Sequence, residues 1–174
     1  MSDELIEIFN VQMEMLGVRR RSEVHSLGFW HRGVHCFLFN SSGKLLVQRR
    51  SNNCDSFPNT FDCSISEHLS IGESFEGALV RGCLEELGAA PYEINKLVSY
   101  KMQYGPTDNM ICELYSGRIN TDEVKINEAE VAGIEYLDVS EILMLLKARP
   151  SQFTSWFREQ LYWFDSKPHG LSVI

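Results

Sequence analysis

Runs of apolar residues and a change in their spacing divide this chain into strand and helix windows. In residues 34–39, V-H-C-F-L-F, Val34, Cys36 and Leu38 alternate with Phe37 and Phe39 among them, the pattern of a strand buried on both faces. Asn40-Ser41-Ser42-Gly43 is a turn cluster, and 44–49, K-L-L-V-Q-R, reads as the returning strand of a hairpin. Residues 57–65 read as a turn and a short strand. From Phe75 the period changes. Phe75, Ala78, Leu79, Cys83 and Leu87 recur at helical spacing, so one helix face is buried. Ser74 suits the N-cap, and Gly88 suits the left-handed residue that ends a helix.

Beyond Pro91, residues 96–104 and 110–118 are strands flanking Gly105-Pro106, which predicts a long hairpin. Residues 134–138 form another short strand. Asp138 and Glu141 mark the start of a helix that ends before Pro150, and a last helix covers 154–164. Its aromatics, Trp156 and Phe157 among them, belong to the core, with one or two free to wall a pocket. Residues 4–9 fit a strand or the start of a helix equally well. Strands before, around and after one internal helix, with more helix at the C-terminal end, predict an α+β fold with a mixed sheet, one domain over residues 1–174.

The formal charge of −8 argues against a nucleic-acid polymer as partner, which demands a basic surface. It leaves room for a small anionic substrate. No apolar run approaches the length of a membrane span, and the acidic start M-S-D-E-L-I-E-I is unlike a signal peptide. The five cysteines are odd in number and form no C-x-x-C pair, which favours reduced thiols and a cytoplasmic location.

The candidate chemistry sits on the polar face of the 75–87 helix. Arg81 and Glu85 are four apart and neighbours on the surface. Glu85 and Glu86 are adjacent, about 100° apart around the axis, and are expected to share one cation. Paired carboxylates beside a glycine-containing loop suit Mg²⁺, or Mn²⁺ in its place. On its own, such a helix is as readily an ordinary solvated acidic face. Arg49 and Arg50 leave the end of the 44–49 strand just before this unit and are expected to clamp a diphosphate. Arg19, Arg20 and Arg21 are a solvated loop or an anion contact. Asp108 and Glu113 are two further carboxylates within reach of a metal site.

The stretch from Glu67 to Ala89 resembles a Nudix box, G-x5-E-x7-R-E-U-x-E-E-x-G-U with U a bulky apolar residue. Glu73, Arg81, Glu85, Glu86 and Gly88 fall on five of its seven fixed letters. Glu67 stands where the first glycine belongs, and Gly82 where a glutamate belongs. The resemblance implies the α-β-α Nudix sandwich and Mg²⁺-dependent hydrolysis of a small diphosphate compound, of nucleoside or isoprenoid type. Glu85 and Glu86 would be metal ligands, and Arg81 and Glu86 part of the catalytic set. Because the residue types at 67 and 82 are exchanged, Glu67 is expected to supply the missing acid, as catalytic group and metal ligand. The alternative is a Nudix-fold binding or regulatory module that has lost catalysis.

The similarity extends over roughly residues 20–164 toward the branch close to isopentenyl diphosphate isomerase. His31 and His68 match two metal-binding histidines of that enzyme, and His25 lies one residue off a third. Trp156 matches the aromatic that faces its substrate. Its catalytic cysteine, however, falls on Ser66 and its catalytic glutamate on Met110, and a methionine exchanges no proton. Isomerisation is therefore not expected. Trp156 is then expected as a pocket wall, and the histidines as satisfied or exposed imidazoles.

Overall fold

The computed structural model of the protein describes residues 3–174. Met1 and Ser2, part of the acidic N-terminal stretch and of the single domain expected over 1–174, lie outside the described residues. Strand β3 (Trp30–Phe39) is central. One edge pairs in parallel with β8 (Asp108–Arg118), from Trp30↔Asn109 to Phe39↔Arg118. Strand β7 (Tyr92–Gly105) forms the expected long hairpin with β8, and β10 (Ser172–Val173) extends β7. The other edge of β3 meets three partners in turn. These are β1 (Leu5–Phe9), β6 (Ile65–His68) and, at Phe39↔Leu45 alone, β4 (Leu45–Arg50). Residues 5–9 thus resolve as strand, and β1 pairs also with β2 (Met15–Arg20).

The hairpin expected around residues 40–43 forms, but its pairing is limited to Phe39↔Leu45. After that pair β4 leaves β3 and aligns with β5 (Phe61–Asp62) and β9 (Val131–Leu137). Ser64 fills the wedge between the diverging strands. Its buried hydroxyl donates to the Leu46 carbonyl at 2.6 Å and accepts from the Leu38 amide at 2.8 Å. Each strand end so finds a partner for a group that would otherwise be buried unpaired.

Two helical layers cover the sheet. Helix α2 (Phe75–Gly82) continues into a π turn at Cys83–Leu87 and packs Leu79, Cys83 and Leu87 on Val34, Cys36 and Leu38. Helices α3 (Val139–Ala148) and α4 (Ser155–Phe164) cover the opposite face, where Ile142, Phe157 and Leu161 meet Phe37, Tyr100 and Leu114. The strand at 34–39 is buried on both faces as its sequence predicts, and the whole is an α+β sandwich with a mixed sheet. Helix α1 (Arg21–Leu27), which no periodicity announced, seats Val24 against Ile6 and Ile8. Among the described residues no helix is long and apolar enough to cross a membrane.

Candidate active site

The α2 unit begins and ends as its sequence predicts. Ser74 Oγ accepts from the Gly77 amide at 3.1 Å, and Gly88 closes the π turn with a left-handed φ of 64°. A π turn leaves carbonyls at the helix end without helical partners. The amides of Lys125 and Asn127 take them, donating to Leu87 O at 2.7 Å and Glu86 O at 2.8 Å. The loop before β9 is thereby tied to the helix end, and Glu130, three residues on, reaches the same cavity as Glu86.

Arg81 organises the acidic face. Its Nε donates to Glu73 at 3.0 Å, and its Nη1 to Glu85 at 3.0 Å and Glu67 at 3.3 Å. Its Nη2 donates to Glu73 at 3.1 Å and to the His68 carbonyl at 2.9 Å. The two adjacent glutamates part company. Glu86 is 8% exposed and lines the cavity, where Gln48 Nε2 donates to it at 2.7 Å. The Glu85 side chain is 54% exposed and turned to Arg81. It does not line the cavity. Glu86 thus faces the cavity with other carboxylate partners, and Glu85 does not.

Glu67 is one of those partners. It stands on β6 opposite Val34, facing α2. A Cβ at position 82 would lie 2.5 Å from Glu67 Cγ and 3.2 Å from its Cδ. The glutamate therefore occupies the space that a side chain at 82 would fill, and only glycine permits it. Burial together with the charges of Glu130 and Glu85 pushes the Glu67 carboxyl up to about 7, against the opposing pull of Arg81. Burial and the charge of Glu67 likewise push Glu86 well up.

Arg50 and Trp156 reach the cavity as predicted, held by a residue the sequence reading passed over. Buried Asp62 accepts from Trp156 Nε1 at 2.6 Å, Thr154 Oγ1 at 3.1 Å and Arg50 Nη1 at 3.0 Å. The Arg50 guanidinium lies 5.5 Å from the Trp156 ring. Arg49, adjacent on a strand and so directed oppositely, lies over the Phe61 ring at 4.4 Å and donates to Asn59 O, outside the cavity lining. Replacing Arg50 by Lys is therefore expected to weaken binding of a diphosphate ligand about tenfold, since the planar fork is lost while charge is kept. Arg49→Lys should change nothing. Equal affinity of both variants and the unaltered chain in calorimetry would leave Arg50 as a support for Asp62 alone.

The cavity encloses about 120 Å³ and passes Ser66, Met110 and His35 on its way from Glu86 to a group of histidines. It shares Arg21, His25, Ser56 and Asp108 with an outer groove of about 590 Å³. His25, His31 and His68 bring one ring nitrogen each to within 4.8 Å of the others. Asp108 Oδ1 lies 3.5 Å from His25 Nδ1 and 3.9 Å from His31 Nε2. His31 Nδ1 faces the Phe29 carbonyl at 3.1 Å, so it carries the hydrogen and Nε2 presents its lone pair. His25 Nε2, His31 Nε2 and Asp108 Oδ1 are buried with no hydrogen-bond partner. The expectation of satisfied or exposed histidines fails for His25 and His31: α1, β3 and β6 bring the three rings together, and each of these two keeps a buried ring nitrogen without a partner. Glu113, the other carboxylate considered, instead meets Lys96 and Ser99.

These groups oppose one another in their effect on stability. Burial pushes His31 down to about 4 and His35 to about 3, and lowers His25 and His68 as well. Such histidines favour the folded state fully above 6.5, and that contribution is lost as pH falls toward 4 and 3, because the unfolded chain binds more protons there. Glu67 and Glu86 act in the other sense. Their raised values favour the folded state below 4.5, and that contribution is lost as pH rises through about 7. Melting in the presence of a chelator should therefore peak near neutral pH. The Glu67→Gln, Glu86→Gln double variant should lose the decline on the alkaline side; an unchanged decline would refute the assignment.

An α-β-α sandwich thus brings carboxylates from a helix, a strand and a loop, Glu86, Glu67 and Glu130, to one cavity. The NUDIX domain pattern matches residues 29–157, and the chain belongs to the Nudix family. It is 31% identical over 156 residues to an uncharacterized Nudix hydrolase of Clostridium acetobutylicum, covering 84% of this chain and 75% of that one. It is also 31% identical over 163 residues to the isopentenyl-diphosphate Delta-isomerase of Klebsiella pneumoniae, covering 90% and 88%. Among solved structures it is similar to DR0079 of Deinococcus radiodurans, with a TM-score of 0.78, 26% identity and coverage of 92% and 98%.

Proposed function

We propose that the protein is a divalent-cation-dependent hydrolase of a small diphosphate compound. The observation that carries this reading is Glu67 seated on Gly82 beside buried Glu86, which keeps an acid at the cavity although the box lacks its usual one. Glu67, Glu86 and Glu130 offer only oxygen donors, the set preferred by Mg²⁺, with Mn²⁺ as the alternative. Their mutual repulsion, which Arg81 and Arg50 offset only in part, fits a cation as a further partner. Such a cation would polarise the diphosphate and offset charge building on it. Arg50 donates to phosphate oxygens from the opposite wall. Glu67 takes the proton of an attacking water, whose oxygen bonds to phosphorus as the bridging P–O bond breaks and the leaving phosphate keeps the electron pair.

Incubation with a panel of diphosphate compounds and Mg²⁺, read by phosphate release, tests this reading. Inertness toward all of them, with ligand binding retained, would favour the binding or regulatory module instead. The histidine group supports a second cation of more nitrogen-seeking type, held by His25, His31, His68 and Asp108. Titration with Mn²⁺ should then show two classes of site, and His31→Asn should remove one of them. A single class that survives His31→Asn would rule that site out. Ser66 and Met110 both line the cavity at the positions of the isomerase's acid and base, so interconversion of isopentenyl and dimethylallyl diphosphate is not expected.

A further inference from the structure

His35 is a buried polar residue of the cavity for which hydrolysis as outlined has no use. It lies in the middle of β3, paired with Ser66, on the face opposite the Val34–Glu67 pair. Its ring stacks between Tyr100 and Trp156, with centroids 6.5 and 6.4 Å away, and the residue is 1% exposed.

Two contacts determine its tautomer. Cys63 Sγ lies 3.1 Å from the Ile65 carbonyl, which only accepts, so the thiol hydrogen goes there. Burial keeps that thiol protonated. The same sulfur lies 3.8 Å from His35 Nδ1. With its one hydrogen committed, the sulfur can only accept, and Nδ1 must carry the imidazole hydrogen. Nε2 is then a bare acceptor, buried and without a partner, on a residue that lines the cavity. Burial holds the imidazole down at about 3, so Nε2 stays an acceptor at ordinary pH.

An acceptor locked in this way repels phosphate oxygens. A hydrocarbon placed against it leaves it unpaired, a loss of about ten- to a hundredfold in affinity. A hydroxyl satisfies it, and Ser66 on the same face adds a second polar group to the same wall. We infer that His35 Nε2 accepts a hydrogen bond from a hydroxyl on the group that carries the diphosphate, so that the site selects hydroxylated diphosphates over isoprenoid ones. This inference rests on the diphosphate reading of the cavity, but it concerns binding and does not need turnover.

The test is calorimetry with Mg²⁺ and two ligands that differ by one hydroxyl, 3-hydroxy-3-methylbutyl diphosphate and 3-methylbutyl diphosphate. The unaltered chain should prefer the hydroxylated ligand about thirtyfold or more. His35→Phe should reduce that preference to about threefold or less, and His35→Gln, which can put an acceptor in a similar place, should keep most of it. Nitrogen-15 spectra of the unaltered chain should show His35 with hydrogen on Nδ1, and its Nε2 resonance should move when the hydroxylated ligand is added. Equal affinities in the unaltered chain, as expected if a water alone satisfies His35, would overturn the inference. So would a preference that survives His35→Phe, or hydrogen found on Nε2. Selective binding together with inertness toward the whole diphosphate panel would uphold His35 and overturn the hydrolase reading alone; binding of neither ligand would overturn both.

Discussion

Replacing Glu67 by glycine is expected to lower hydrolysis by about a hundredfold or more, the scale of removing a group that takes a proton in the transition state. The further change Gly82→Glu should restore part of it. The reason is shared space. Glu67 Cγ lies 2.5 Å from where a Cβ at 82 would stand, so the two positions offer one volume that a carboxylate can enter from the strand or from the helix. In the common box the acid comes from the helix and the loop is glycine. Here the acid comes from the strand and the helix residue is glycine. Gly82→Glu alone, with Glu67 still present, should be destabilised and poorly active, because two side chains then compete for that volume. The three variants thus form a cycle with strong coupling, the sign of groups in contact. Full turnover in Glu67→Gly would sink the proposal. A double variant no better than Glu67→Gly would show that the two positions are not interchangeable.

Glu86→Gln is expected to abolish cation binding at the carboxylate site and lower kcat/KM by about a hundredfold or more, equivalent to about 3 kcal/mol of transition-state stabilisation. At the same time it should make the cation-free protein more stable at pH 8. The shape of the side chain is kept, and the new amide oxygen can still accept from Gln48 Nε2. What is lost is a charge forced into a buried setting beside Glu67. Opposite signs for stability and activity separate a functional carboxylate from a structural one, since removing a structural group lowers both. Activity that falls together with the melting temperature would assign Glu86 to the scaffold.

What the sequence revealed was local. Ser74 and Gly88 were readable because a cap depends on a few neighbouring residues. The strand at 34–39 was readable because burial on both faces leaves a continuous apolar run. The hairpin at 40–43 was readable, but its shortness was not, because β4 takes its main partner from β9, beyond the box and the β7–β8 hairpin, and no turn signal carries that information. Arg49 and Arg50 looked equivalent until strand alternation told them apart. Glu85 and Glu86 looked equivalent until the direction of the cavity was known. Asp62, Gln48 and Glu130 carried no motif of their own. They matter through partners brought close only by the fold. Glu67 is the instructive case: the exchange of residue types at 67 and 82 suggested a relocated acid, and the geometry at Gly82 adds that the two positions share one volume.

The amides of Lys125 and Asn127, bonded to the end of the box helix, have a consequence for the lifetime of the site. The stretch they belong to is held to the α2 unit in part by main-chain bonds that any fluctuation of the loop must break. When they part, the carbonyls of Glu86 and Leu87 lose those partners together, while the Glu130 carbonyl still accepts from the Ser51 amide. Exchange of those two amide hydrogens with deuterium therefore clocks how often the loop parts from the helix end in an otherwise folded chain.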